Sequence, residues 1–174
     1  MLTDVLAAAT TVGRTLVVTP PRAAEARRRA AAVGAEIVDD PGRGQAEAVL
    51  QALRGLDDGP VLVVNADLPA VQPADLLALL GLMPSGGIAL AAAADGTTNA
   101  LALASPRLFE RLYGQGSAGR FRRHAEAVGI AFADADLPNL ARDVDRLADL
   151  DALVGRLGPA TAAVRETLLT SAAA

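Results

Sequence analysis

Three acidic side chains in this sequence stand where they could share a cation. Residues 61–69 read VLVVNADLP, four apolar β-formers running into Asn65, Ala66, Asp67 and then a proline. A continuous apolar run this short, closed by turn residues, predicts a strand buried on both faces. Ligands of open α/β sheets bind at the carboxyl edge of their strands, so Asp67 is delivered to a crevice, where a carboxylate can hold a divalent cation against phosphates. The alternative is an Asx turn, or a cap on the helix expected over 73–80. Asp143 and Asp145 stand two apart in NLARDVDRLADL. On an extended backbone their side chains share one face while Val144 takes the other. Two carboxylates so placed repel each other unless a cation sits between them, and with Asp67 they supply the three oxygen ligands of a catalytic Mg²⁺ site. Capping by Asp145 of a helix over 146–155 would explain one of the two acids, not both.

Other residues could grip anions. Gly42, Arg43, Gly44 and Gln45 open a helix expected over 46–53, and a Gly-Arg-Gly turn at a helix N-terminus offers backbone N–H groups to a phosphate or nucleotide; many such turns use glycine only for its backbone angles. Asp95, Gly96, Thr97, Thr98 and Asn99 form a turn whose hydroxyls could hold a phosphate or carboxylate, or simply connect a hairpin. After Tyr113, Gly114, Gln115 and Gly116, Ser117 is a good N-cap for a helix over 118–128 and makes a better-formed second cradle. The only histidine, His124, lies inside that helix and reads as a surface residue.

The elements that must position these groups alternate. Strands are expected at 15–19, 35–38, 61–66, 86–94, 100–103 and 130–133. Helices are expected at 2–11, 22–33, 46–53, 73–80 and 118–128, with a short helical turn at 108–112. Strand, helix, strand in succession predicts a three-layer α/β domain, a mostly parallel sheet with right-handed crossovers and helices on both faces. GGIALAAAA at 86–94 is small in its side chains for a strand, which implies that another backbone or a ligand approaches it closely. Length argues for a single domain over 1–174, with 159–174 a tail able to form one more helix.

Composition narrows the chemistry. All 16 basic residues are arginine against 20 acidic ones, for a net charge of -4. Nucleic acid and anionic membranes are poor partners for that balance. A lysine phosphate loop or Schiff base is excluded, so a phosphate clamp must use Arg, backbone N–H or metal. The run Arg27, Arg28, Arg29 reads as a solvated helix face. Absence of cysteine removes disulfides, thiolate metal sites and cysteine nucleophiles. No apolar run is long enough to span a membrane and no basic flank marks a signal peptide, so a cytoplasmic enzyme or binding domain is expected.

VVNADLP, DGTTNALAL, YGQGS and DVDRLADLDAL, in this order and at these intervals, resemble the guanylyltransferases of coenzyme F-420 biosynthesis over about residues 2–152. The resemblance implies a nucleotide-diphospho-sugar-transferase (Rossmann-like) fold and transfer of GMP from GTP to 2-phospho-L-lactate or phosphoenolpyruvate. It implies Asp67, Asp143 and Asp145 as metal-binding acids, with Thr98, Gly116 and Ser117 holding the phosphorylated acid. Gly44 and Gln45 are then the nucleotide-binding turn. The family opens with a strand and a basic Lys- and Arg-containing loop, and residue 2 here matches the helix after them. Where the family has Gly-Leu-Asn, this chain has Gly44, Gln45, Ala46. Other expectations are a molybdopterin guanylyl- or cytidylyltransferase, and a non-catalytic binding domain of the same fold.

Overall fold

The computed structural model describes residues 1–146, 149, 150, 153 and 157–172. In chain order they form α1 (Leu2–Val12), β1 (Leu16–Thr19), α2 (Ala24–Ala32), β2 (Glu36–Asp39), α3 (Gln45–Leu53), β3 (Val61–Val64), α4 (Pro73–Leu82), β4 (Ile88–Ala92) and β5 (Thr98–Leu103). A 3₁₀ turn (Pro106–Leu108), α5 (Ser117–Val128), β6 (Phe132–Asp134) and α6 (Pro159–Ala172) follow. The helix expected over 146–155 falls largely on residues outside the described set. Among the described residues no helix is long and apolar enough to cross a membrane.

β1 and β2 pair in parallel, while β3, β5, β4 and β6 form a second sheet in that order. Within it β4 and β6 are parallel, and β5 runs antiparallel to both β3 and β4. Three of its four strands therefore share a direction. β5 departs from the alternation because Asp95 and Gly96 reverse the chain tightly: Asp95 accepts the Thr97 N–H and hydroxyl, Gly96 takes φ 82, and no crossover helix intervenes.

The strand period sorts side chains to two faces. Ala89, Ala91, Ala100 and Ala102 pack with Val5, Ala8, Leu76 and Leu79 of α1 and α4. Ile88, Leu90, Leu101 and Leu103 pack with Ala118 and Phe121 of α5 and with Val49, Leu50 and Leu53 of α3. The small residues of β4 thus admit leucine-bearing helices. At Gly87 the close neighbour is backbone: a Cβ there would collide with the Ala131 carbonyl, so glycine lets β6 reach β4.

Two expectations are corrected. β3 packs against both core clusters but is half-buried along its whole length, not fully buried, and it is the terminal strand of its sheet. The helical turn expected over 108–112 is the earlier 3₁₀ turn, because Pro106 supplies a helical φ and the Ser105 hydroxyl accepts the Arg107 N–H at 3.2 Å.

Candidate active site

Asp67 lies three residues past β3. The backbone N–H of Asn65 continues the ladder to the Asn99 carbonyl at 2.9 Å. Beyond it, the fully buried Leu68, Ala70 and Val71 pin the loop into the core and hold Asp67 at the sheet edge. Asp67 caps nothing: Asp75 accepts the Gln72 N–H at 2.8 Å at the start of α4. One carboxylate oxygen of Asp67, Oδ1, is buried without any hydrogen-bond partner. Removal from water pushes its carboxyl above the ordinary range, and the nearby charges of Asp143 and Asp145 push the same way.

Asp143 and Asp145 arrive on a strap tied down from both sides. Val144, the residue between them, is buried against Ala70, Leu150 and Leu153, and its N–H donates to the Asp67 carbonyl at 3.1 Å. Asn139 donates to Asp75 at 3.0 Å, fixing the strap to α4. The carboxylate of Asp149 accepts the N–H groups of Asp145 and Arg146 at 3.1 and 2.7 Å. Carboxylate oxygens of Asp67, Asp143 and Asp145 lie within 4.8 Å of one another. A groove of about 280 Å³ opens beside them, lined by Ala94, Asp95, Arg142, Asp143, Asp145 and Asp149 among others.

The other residues singled out by sequence take the following positions. Gly44 takes φ 91 at the N-cap of α3, and Gln45 is the first residue of that helix. Its Nε2 donates to Asn65 Oδ1 at 2.8 Å, joining the turn to the strand that carries Asp67. Thr98 and Ser117 are buried and their hydroxyls bond each other at 2.9 Å. Ser117 is not the cap that its type suggested; Gly116, left-handed at φ 68, takes that place, and the Ser117 hydroxyl turns inward to β5. Arg27 pairs with Asp39, and Arg28 and Arg29 pair with Glu25, so the arginine run is a solvated ion-pair face. His124 is half-buried on α5.

Sequence reasoning overlooked Asn65 and Asn99. Asn65 Nδ2 donates to the Thr98 carbonyl at 3.2 Å and to Asn99 Oδ1 at 3.4 Å, and Asn99 Nδ2 reaches Asp143 Oδ1 at 3.4 Å. A polar amide inside the apolar run of β5 was the available signal.

Residues 1–128 match the family model described as the MobA-like NTP transferase domain. The chain belongs to that family. The transferase is 37% identical over 171 residues to a phosphoenolpyruvate guanylyltransferase of Geodermatophilus obscurus, covering 94% of this chain and 76% of that one. It is 37% identical to that of Streptomyces scabiei, covering 93% and 78%. With that of Sphaerobacter thermophilus it shares 36% identity, covering 69% and 65%. The transferase thus spans from 65% to 78% of these relatives' lengths. Among solved structures, a nucleotidyl transferase from Methanothermobacter thermautotroptrophicus superimposes with TM-score 0.69 at 17% identity, covering 87% and 77% of the two chains. CMP:2-keto-3-deoxy-manno-octonic acid synthetase complexed with CTP gives 0.58 at 12%, covering 87% and 85%. The fold is therefore the Rossmann-like α/β type of these transferases. By family the protein is a nucleotidyltransferase, and its relatives over most of its length are guanylyltransferases.

Proposed function

We propose that this transferase moves GMP from GTP onto a small phosphorylated carboxylic acid, phosphoenolpyruvate or 2-phospho-L-lactate, releasing pyrophosphate, in cytoplasmic coenzyme F-420 biosynthesis. The observation that carries this reading is the convergence of Asp67, Asp143 and Asp145 beside an open groove. The names of the relatives support the nucleotide and the acceptor. An orphaned buried oxygen on Asp67 and two further hard carboxylates are the donor set that suits Mg²⁺. When bound, Mg²⁺ supplies neutralisation of the charge developing on the transferred phosphate and the leaving pyrophosphate.

The chain's own residues orient the reactants. The α3 N-terminus at Gly44 and Gln45 receives the nucleotide, and the exposed turn at Gly116 receives the acceptor, with the buried Thr98–Ser117 pair fixing that turn against β5. A phosphate oxygen of the acceptor attacks the α-phosphorus, a new P–O bond forms, and the bond from that phosphorus to the bridging oxygen of the β-phosphate breaks. No side chain becomes covalently attached. Positioning and charge stabilisation do the work, as in phosphoryl transfer generally.

Pyrophosphate release from GTP plus phosphoenolpyruvate tests the reading. Asp67→Asn and Asp143→Asn should each lower turnover by about 100-fold or more; turnover at the wild-type rate in both would overturn the role of the acids. The MobA-like character of the family favours, as a second reading, transfer to a pterin acceptor. A panel of GTP and CTP against both acceptor classes separates the two.

A further inference from the structure

The amide groups beside the acid cluster form a chain with one direction. Gln45 gives its NH₂ to the oxygen of Asn65 at 2.8 Å. Asn65, its oxygen so occupied, gives its own NH₂ to the oxygen of Asn99 at 3.4 Å and to the Thr98 carbonyl at 3.2 Å. Asn99 in turn has only its NH₂ left, and that end faces Asp143 Oδ1 at 3.4 Å. An amide carries an acceptor at one end and donors at the other, so each link dictates the orientation of the next. Reversal of any one would set oxygen against oxygen. Asn99 is 1% exposed, so its amide meets these partners in place of water.

We propose that Asn99, held by Asn65, is a positioning residue for the cation site: it engages Oδ1 of Asp143 and so turns the other carboxylate oxygen toward Asp67 and Asp145. Groups that hydrogen-bond a metal-binding carboxylate orient it and commonly contribute 10- to 100-fold in metal affinity or activity. This role rests on the metal reading above and names residues that reading does not use. It also places the nucleotide turn and the cation site on one connected strip, since the chain of amides starts at the first residue of α3.

Binding of Mn²⁺ to the nucleotide-free protein, measured by calorimetry, is the test, with Asp143→Asn as the reference. Asn99→Leu keeps the volume and removes the donor; it should weaken Mn²⁺ binding about 10-fold. In the steady state it should raise the Mn²⁺ concentration needed for half-maximal rate by a similar factor, with kcat at saturating Mn²⁺ within about twofold. Asn65→Leu, one link further out and only half-buried, is the second arm should Asn99→Leu fail to fold, and should weaken Mn²⁺ binding about threefold. Folded variants that bind Mn²⁺ as tightly as wild type, while Asp143→Asn does not, would overturn the positioning role and leave the metal reading standing. Unchanged Mn²⁺ binding in Asp143→Asn would instead remove the metal reading itself.

Discussion

Asp67 carries two opposed demands. Burial beside Asp143 and Asp145 holds its carboxyl above the usual range, so the folded protein binds that proton more tightly than the unfolded chain does. The stability linked to it is therefore full at low pH and is lost as pH rises through the raised folded value. Metal-free protein should accordingly melt lower near neutral pH than in mild acid, as far as this group is concerned. Asp67→Asn should remove that dependence and raise the melting temperature of the metal-free protein near neutral pH, while lowering turnover by about 100-fold or more. Calorimetric melting in chelator, from below the unfolded aspartate value of about 3.9 up to about pH 8, checks the sign. At this scale the sequence was informative: an acid just past an apolar strand, and two acids flanking a valine, were enough to name the three members of the cluster. Asn65 and Asn99 were not legible, because an amide's role depends on which neighbour takes each of its two ends.

The buried Thr98–Ser117 hydroxyl pair ties α5 to β5. The Ala118 N–H adds a bond to the Gly96 carbonyl at 3.2 Å, so α5 docks on the hairpin that β5 leaves. Ser117→Ala leaves the buried Thr98 hydroxyl without its partner, which should lower stability by about 1–3 kcal/mol. Adding Thr98→Val should restore part of that loss; equilibrium urea unfolding of the single and double variants measures both. Helix positions were readable from periodicity and punctuation, and the α3, α4 and α5 starts fall within a residue of expectation. The identity of the α5 cap was not, since serine and left-handed glycine both suit a helix start and only the buried partner on β5 decided between them.

Across the whole molecule, the two ends of the described chain meet beside the loop that carries Asp67. Asp4 of α1 is buried and accepts the Ala160 and Thr161 N–H groups at 2.9 Å each and the Thr161 hydroxyl at 2.6 Å, capping α6. Gly158 lies so close that a Cβ would overlap the Asp4 carboxylate, and its N–H donates to the Pro69 carbonyl at 2.6 Å, two residues past Asp67. Asp4→Ala strands two buried donors and one part-buried donor at once and should destabilise the protein by about 2–4 kcal/mol, read from urea unfolding. Asp4, near the start of the chain, thus serves a helix more than 150 positions away.

By itself the sequence determined the α/β class, the order of elements and the three acids that converge, because period, punctuation and charge spacing are local properties of the chain. Tertiary structure alone decided that β5 inserts antiparallel between β3 and β4, that β3 ends its sheet, that Ser117 and Thr98 face each other, and that a directional run of amides ends on Asp143. Each of these depends on which distant residue fills the space beside a group, and no local pattern encodes that choice.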